Sequence, residues 1–181
     1  ATAAYEKNGG NPSELKFFVS ESTLENETKM ESLNYWISVW EAGGAKIDGI
    51  TAKLNLAYYE DATKQAETKA AYERLLANLA ATGKLIRVSN FDIKYVDASN
   101  TSVSPANITE AQRQQLADFN AYAIKAYMSK IPADKQAGIV KTNIVDTGTE
   151  PVGLWLKDAK NSNDWTRTAT YKAWCEALSG K

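Results

Sequence analysis

Side chains that could do chemistry follow an apolar run in the segment LIRVSNFDIKYVD, residues 85–97. The run predicts a strand, and Asn90 and Asp92 come near its acidic end, where parallel α/β proteins place their catalytic groups. A carboxylate there could act as a nucleophile or as a general acid/base, whereas an amide can do neither. Because Asn90 stands where a carboxylate would be expected, the segment indicates either an active site or the remains of one.

Histidine is absent from the sequence, and Cys175 is the single cysteine. These two facts exclude Ser–His and Cys–His nucleophilic catalysis, the commonest zinc ligand and a cysteine-based metal cluster. Cys175 lies in YKAWCEAL, a predicted helix, so we expect a buried structural thiol and no nucleophile. Any catalysis by this chain must therefore rest on carboxylates, and we predict neither a cofactor nor a metal site.

Composition restricts the class of protein and of partner. The chain has 181 residues, is 44% hydrophobic and carries a net charge of −1, which suits one packed domain or a piece of a larger one. Scattered basic residues indicate no nucleic acid or anionic membrane as partner, and no apolar run of about eighteen residues predicts a membrane span. The start, ATAAYEKNGG, lacks an initiating Met and a signal sequence, so we expect a processed or cut chain.

Short apolar runs alternate with longer amphipathic stretches, which predicts four βα units around a parallel sheet. The predicted strands are residues 15–20, 46–56, 84–95 and 137–146, and the predicted helices are residues 29–42, 61–82, 109–130 and 166–178. Three helices have apolar stripes: Leu33, Trp36, Ile37 and Trp40; Tyr72, Leu75, Leu76 and Leu79; and Leu116, Phe119, Ala123 and Tyr127. Thr109 and Gln112 have capping-box spacing.

Four βα units cannot close a (β/α)8 barrel, since that structure needs eight strands. Half a barrel would leave two sheet edges with unpaired backbone groups. We therefore expect a complementary N-terminal half barrel or a second copy of the chain to cover both edges.

The order and spacing of several segments carry a resemblance to a known family. They are LKFFVSESTLEN, YWISVWEAGGAKIDGITAKLNL, LLANLAATGKLIRVSNFDIKYVD, ITEAQRQQLADFNAYAIKAYMSKIPADKQAGIV, EPVGLW and TATYKAW. Together they resemble the C-terminal half of glycoside hydrolase family 10, the endo-1,4-beta-xylanase family, and particularly its Bacteroidetes members. The resemblance implies an α/β fold of the (β/α)8 TIM-barrel type, with residues 1–181 supplying strands five to eight.

The resemblance also implies what has been lost. The family uses two carboxylates, and its acid/base would lie upstream of Ala1. Its nucleophile position matches Asn90, in Ser-Asn-Phe-Asp. A Gln-x-His pair of the family is replaced by Lys53 and Asn55, and its Gln-Trp by Lys141-Thr142. The family loop that brings a second Trp over the sugar is short here, between Asp146 and Glu150. The catalytic residues are therefore expected to be lost.

Structural interpretations of the same residues stay open beside the functional ones. Asn55 and Asn90 could be ordinary polar residues at strand ends, satisfied by backbone and water. Lys53 and Lys141 could form salt bridges with Asp92 or Asp146 that fill an abandoned pocket. The aromatic side chains divide in two groups: Trp36 and Trp40 are predicted to pack, whereas Trp155, Trp165, Tyr58 and Tyr59 are predicted in loops that could stack on sugar or pack at the rim.

The candidate sugar-binding residues are Lys53, Asn55, Asn90, Asp92 and Trp155. Our preferred hypothesis is a catalytically degenerate xylanase-like domain, a glycan-binding or scaffold protein in plant polysaccharide utilisation, with a neutral beta-linked, xylan-type polysaccharide as ligand. The first alternative is a weak or partner-completed endo-1,4-beta-xylanase of the retaining type, and the second is a purely structural half barrel. The expected location is exported, periplasmic or at the cell surface, with a lipoprotein anchor upstream as one form of attachment.

Overall fold

The computed structural model describes residues 2–157 and 164–180. Its helices are α1 (Thr2–Lys7), α2 (Glu27–Ala42), α3 (Ala62–Ala81), α4 (Glu110–Lys130) and α5 (Ala169–Leu178). Its strands are β1 (Phe18–Ser22), β2 (Gly49–Lys53), β3 (Ala57–Tyr59), β4 (Leu85–Ser89), β5 (Lys94–Val96), β6 (Gln136–Ile139), β7 (Trp155–Lys157) and β8 (Trp165–Arg167). None of the described helices is long and apolar enough to span a bilayer.

A parallel sheet forms the centre of the fold, with strand order β1-β2-β4-β6. The register places Val19 beside Ile50, and Ile50 beside Ile86. Helices α2, α3 and α4 connect successive strands of this sheet, and α5 follows β6. This confirms the four predicted βα units, and it leaves β1 and β6 as the two edge strands of the sheet.

The strands differ in length from the prediction. The second predicted strand is observed as the shorter β2, and β3 begins one residue after its predicted end. The third predicted strand breaks into β4 and β5, and β3 and β5 form a separate parallel ribbon. The fourth, predicted over residues 137–146, ends at Ile139, beyond a register shift at Gly138, whose φ is +110°. The first strand and the last helix each begin three residues later than predicted. Apolar residues continue through these breaks, so the pattern alone does not reveal them.

Side-chain caps begin the long helices. The Asn26 and Asp61 side chains accept hydrogen bonds from backbone amides in the first turns of α2 and α3. Thr109 and Gln112 form the predicted capping box at the start of α4, and both of its reciprocal hydrogen bonds are present. Such caps satisfy amide groups that have no partner within the helix, which fixes where each helix starts.

The core confirms two of the three predicted apolar stripes. Every member of the α3 and α4 stripes is buried. On α2, Leu33 and Ile37 are buried, but Trp36 and Trp40 are 48% and 41% exposed, so their prediction as core residues was wrong. The physical reason is position: α2 crosses over beside edge strand β1, and among the described helices α3 alone is next to it in sheet order.

Cys175 is exposed, so the prediction of a buried thiol was also wrong. The preceding residue, Trp174, is the one that α5 buries. Successive residues on a helix point about 100° apart, so Trp174 and Cys175 cannot both face the core. Cys175 is therefore a surface thiol on the solvent side of α5.

Candidate functional site

Strand β4 ends in a sharp turn at Asn90. Asn90 has φ of 54°, in the left-handed region that asparagine tolerates better than most residues. The Asp92 amide donates a hydrogen bond of 2.7 Å to the Asn90 carbonyl, which closes the turn over Phe91. Phe91 is fully buried while Asn90 is exposed. The turn therefore anchors the segment through Phe91 and presents Asn90 at the carboxyl end of the sheet.

The Asp92 carboxylate is bound by residues that follow β6. Lys141 Nζ donates a hydrogen bond of 2.8 Å to its Oδ1 atom. Asn143 donates to Oδ2 from its backbone amide at 3.1 Å and from its side-chain Nδ2 at 2.6 Å. The Lys141 and Asp92 side chains are only 7% and 11% exposed. This buried ion pair is one of the pairings that the sequence left open, and it joins the ends of β4 and β6.

Lys141 is held on several sides. Its ammonium donates a further, longer hydrogen bond of 3.3 Å to the Phe91 carbonyl and lies 5.9 Å from the centre of the Trp174 ring. Burial lowers the pKa of Lys141, and the Asp92 carboxylate opposes that shift by favouring the charged form. The pair is thus internally compensated, and both oxygens of Asp92 accept hydrogen bonds from Lys141 or Asn143.

Asp146 pairs with Arg113 and not with either lysine. Arg113 Nη2 on α4 donates to Asp146 Oδ2 at 2.8 Å, and the Gly153 amide donates to Oδ1 at 2.7 Å. Both charged side chains of this pair are mostly buried. Since 33 positions separate Arg113 from Asp146, no local spacing in the sequence could have revealed the contact. The pair ties the segment after β6 to α4.

A buried polar and aromatic cluster supports the turn at Asn90 from the side of helices α4 and α5. Phe91 packs edge-to-face on Trp174, with ring centres 5.2 Å apart. The Trp174 indole donates a hydrogen bond of 3.0 Å to the buried Asn120 side chain, and Asn120 in turn donates 2.8 Å to the Leu116 carbonyl. Because every partner is buried, this cluster fixes α5 against α4 and holds Phe91 in place.

Lys53 and Asn90 come together at the same end of the sheet. Lys53 is exposed and lies beside Ser89 in the β2–β4 register, one residue before Asn90. The Thr142 hydroxyl donates to the Asn90 side-chain oxygen at 3.3 Å, so the segment after β6 reaches Asn90 as well. Lys53 forms no salt bridge with the described part of the chain, in contrast to Lys141.

Asn55 lies apart from this group. It lines a cavity of about 160 Å³ between the β2–β3 connection and α3, together with Leu54, Tyr59 and Tyr72. No hydrogen bond among the described residues joins Asn55 to Asn90. The structure therefore places Lys53 beside the strand that ends at Asn90, and Asp92 in the turn that follows it. Asn55 lines a cavity that none of these three residues lines.

Trp155 lies in strand β7 and not in a loop as predicted. Its ring is half-buried, with the Arg167 guanidinium 5.2 Å from the ring centre and Tyr171 packed edge-on at 5.2 Å. Backbone bonds from Leu154 and Trp155 to the Ile144 carbonyl attach this strand to the segment after β6. Part of the Trp155 ring is therefore already occupied by protein groups.

The other predicted loop aromatics also lie in strands. Trp165 is in β8 and is 47% exposed. Tyr58 and Tyr59 are in β3, where Tyr58 stacks on Tyr95 with ring centres 5.0 Å apart. The loop prediction failed because the short strands β3, β7 and β8 have only three residues each, which is too short for a recognisable alternation.

Glu60 is a further carboxylate near the sheet end that the sequence did not single out. It accepts hydrogen bonds from the Tyr95 hydroxyl at 2.7 Å, the Gln112 side chain at 3.0 Å and the Ala98 amide at 2.8 Å. These donors, with Tyr95 first, lower the pKa of Glu60. A carboxylate with a lowered pKa and occupied oxygens is suited to structural anchoring and not to proton donation.

Metal-ligating groups do not gather among the described residues, since no set of three or more His, Cys, Asp or Glu lies close enough to hold an ion. The site at the carboxyl end of the sheet, which we call the mouth, thus consists of the exposed Lys53, the exposed Asn90 and the buried ion pair between Lys141 and Asp92. Such groups can donate and accept hydrogen bonds to a neutral ligand.

Comparison with known proteins gives structural matches only. No protein-family model and no curated protein matches the sequence. A mutant of Xylanase10C from Cellvibrio japonicus in complex with xylopentaose matches with TM-score 0.70 and 16% identity, over 92% of this chain and 34% of that one. The catalytic core of xylanase A matches with TM-score 0.71 and 15% identity, over 96% and 56%. The endo-1,4-beta-xylanase XylE of Penicillium canescens matches with TM-score 0.62 and 22% identity, over 100% and 50%.

These matches establish the fold. The chain is an α/β protein of the (β/α)8 barrel type, similar to xylanases of glycoside hydrolase family 10. It spans between 34% and 56% of the length of the three structures described above, so it corresponds to part of their barrels. At such low identities the likeness extends to the fold alone.

Proposed function

We propose that this chain is the C-terminal half, residues 1–181, of a catalytically degenerate xylanase-like barrel that binds a neutral beta-linked plant polysaccharide. The observation that carries the proposal is the end of β4, where Asn90 is an exposed amide and Asp92 is bound by Lys141 and Asn143. The protein would serve as a glycan-binding or scaffold component in polysaccharide utilisation, and the family members that it resembles would be the Bacteroidetes-like ones.

The absence of hydrolysis follows from the chemistry of glycosidases. A retaining enzyme needs two carboxyl groups about 5 to 5.5 Å apart, one as nucleophile and one as acid/base. An amide such as Asn90 cannot form the glycosyl-enzyme ester. Asp92 could replace it only by giving up its ion pair with Lys141, which would leave a buried ammonium uncompensated. The ion pair thus supports a pseudoenzyme.

Binding of a neutral glycan draws on the groups that remain. Lys53 and Asn90 are exposed at the sheet end and offer both donors and an acceptor. Trp155 offers part of one ring for stacking, since Arg167 and Tyr171 contact the rest. A few hydrogen bonds and a partial stack should give a dissociation constant in roughly the micromolar to millimolar range. The xylopentaose bound to one structural match supports a xylan-type ligand.

Asn55 and Asp92 complete the proposed contact set in different ways. Asn55 would contact a longer glycan chain from the cavity that it lines. Asp92 would contribute indirectly, by holding the polar side chains of Asn143 and Lys141 in place. The remainder of the site would come from a complementary half barrel or a second copy, because the sheet has two unpaired edges. We place the protein outside the cytoplasm, in the periplasm or at the cell surface, where polysaccharide is encountered.

The second candidate function is a weak or partner-completed endo-1,4-beta-xylanase. It is favoured by one observation: Asp92 is a carboxylate two residues from the nucleophile position, and a complementary half could supply an acid/base. A purely structural half barrel is the remaining alternative, in which the mouth contacts no ligand.

Affinity electrophoresis tests the proposal directly. The native protein should be retarded by xylan and glucomannan but not by pectin, a charged control. Trp155→Ala should lose the retardation, whereas Trp165→Ala, which removes the neighbouring exposed tryptophan in β8, should keep it. Equal mobility of the native protein in every gel would reduce the chain to a structural role, and release of reducing sugar that follows the protein through repurification would favour the enzyme.

A further inference from the structure

The cavity that Asn55 lines has the features of a separate binding site, and we call it the α3 cavity. Three segments surround it: the turn after β1, the connection from β2 to β3, and helix α3. The buried side chains of Tyr72 and Leu75 form its floor. Because α3 belongs to the helix layer, the α3 cavity is offset from the mouth toward that layer and ends there.

The size of the α3 cavity suits one small ring. Its volume of about 160 Å³ corresponds to roughly five water molecules at about 30 Å³ each. Pockets that enclose drug-sized ligands measure about 300–1,000 Å³, so the α3 cavity is too small for a segment of a glycan chain. A closed space of this volume can accept a single sugar ring.

The rim of the α3 cavity carries polar groups that have no partner. Glu25, Asn55 and Thr68 line the cavity, and their side chains form no hydrogen bond or ion pair with the described part of the chain. They offer a carboxylate acceptor, an amide that donates and accepts, and a hydroxyl that does either. Leu54 and Ala71 line the apolar wall. A polar rim around an apolar wall matches a sugar, whose hydroxyls surround a ring with apolar faces.

Tyr59 adds an aromatic ring to the wall of the α3 cavity. Its side chain is half-buried and lines the cavity, and it forms no ring–ring or cation–ring contact with the described residues. An aromatic side chain with apolar faces and a hydroxyl at its edge suits contact with a sugar ring. Tyr59 thus differs from Trp155, whose ring protein groups already contact.

A buried hydrogen-bond donor next to the α3 cavity is also unused. The Gln65 side-chain oxygen accepts a hydrogen bond of 2.8 Å from the Tyr59 amide, so the other end of the side chain must be its NH2 group. That Nε2 atom is buried and has no hydrogen-bond partner among the described residues. Gln65 lies one turn before Thr68 on the same side of α3. Buried polar groups are normally satisfied, and a ligand hydroxyl would satisfy this one.

We propose that the α3 cavity binds a single neutral sugar that branches from a polysaccharide backbone held at the mouth. The inference rests on the proposed function, since the backbone must lie at the mouth for its branch to enter the cavity. Asn55 connects the two places, because it lines the cavity and follows Lys53 of the mouth by two residues. Glu25 at the rim would repel an acidic sugar, so the branch is neutral.

Isothermal titration calorimetry with two xylo-oligosaccharides of equal backbone length, one linear and one with a single arabinose branch, tests the proposal. The native protein should bind the branched sugar at least about tenfold more tightly, from a few additional hydrogen bonds and one ring contact. Ala71→Leu fills the cavity and should abolish this difference without changing the affinity for the linear sugar. Ala70→Leu is the matched control, because it makes the same change at the neighbouring exposed position and should keep the difference.

Tyr59→Leu supplies an independent variant if the larger side chain at residue 71 disturbs the packing of α3. It removes the aromatic ring and should lower the affinity for the branched sugar to that for the linear one, with circular dichroism unchanged. Trp155→Ala should weaken the binding of both sugars alike, because Trp155 would contact the backbone.

The outcomes separate this inference from the proposed function. Equal native affinities for the linear and the branched sugar would overturn the α3 cavity as a branch site and leave glycan binding intact. An equal loss of both sugars in Ala71→Leu would also overturn it, since the cavity would then hold part of the backbone. Binding of neither sugar would refute the proposed function together with this inference.

Discussion

Replacing Lys141 with methionine should destabilise the protein strongly. The change keeps the length and apolar contacts of the side chain but leaves the Asp92 carboxylate with the hydrogen bonds from the Asn143 amide and side chain as its remaining charge compensation. Removing one partner of a buried ion pair costs about 3 to 5 kcal/mol. Since Asp92 is 11% exposed and keeps its hydrogen bonds from Asn143, we expect a loss of about 2 to 4 kcal/mol in the free energy of unfolding.

Urea-induced unfolding at pH 7 and one fixed protein concentration measures this loss. Lys53→Met is the matched control, because Lys53 is an exposed lysine at the same sheet end, and its change should stay within about 0.5 kcal/mol. Adding Asp92→Asn to Lys141→Met should recover most of the lost free energy, because no unpaired charge would remain. If Lys141→Met were as mild as Lys53→Met, the ion pair could not be the closed, buried contact inferred here.

Three further predictions concern the mouth and its supports. Asn90→Glu should give no release of reducing sugar from xylan, because the nearby Asp92 carboxylate is held by Lys141 and Asn143 and cannot serve as the second carboxyl group; turnover above a buffer blank would refute this. Glu60→Gln should lower the free energy of unfolding by about 1 to 3 kcal/mol near pH 7. Since the pKa of Glu60 is lowered from its usual value of 4.5, that difference should be complete above about pH 4.5 and disappear as the pH falls through the folded-state pKa; a difference that persists in acid would contradict it. Trp174→Phe should cost about 1 to 3 kcal/mol in urea unfolding by leaving the buried Asn120 acceptor unpaired, and a neutral result would show that Asn120 finds another donor.

Local signals were enough to predict the helices. The capping box at Thr109 and Gln112 acts within a single turn, so its spacing fixes the start of α4 without tertiary information. The stripes of α3 and α4 were correct because these helices lie inside the layer, with a helix on each side. The α2 stripe uses the same periodicity, yet Trp36 and Trp40 are exposed, because periodicity cannot tell which side of a helix has a neighbour.

Non-local contacts explain what the sequence could not predict at the site. The break at Asn90 depends on a left-handed turn anchored by buried Phe91, and the apolar pattern runs through it unchanged. Lys141 and Asp92 were recognised as a possible pair by their positions at strand ends, since parallel strands bring those ends together. Asn143 was missed because it fell inside the predicted strand 137–146, and Arg113 was missed because it lies on helix α4 and not at a strand end.

Native mass spectrometry with xylohexaose most directly tests the claim that the mouth binds a neutral glycan without cleaving it. One spectrum reports both the protein–ligand complex and the mass of the bound sugar. After prolonged incubation we expect the protein with intact xylohexaose, and a weaker complex for Trp155→Ala. Shorter xylo-oligosaccharides formed in proportion to protein would contradict the loss of catalysis, and the absence of any complex at millimolar sugar would contradict glycan binding.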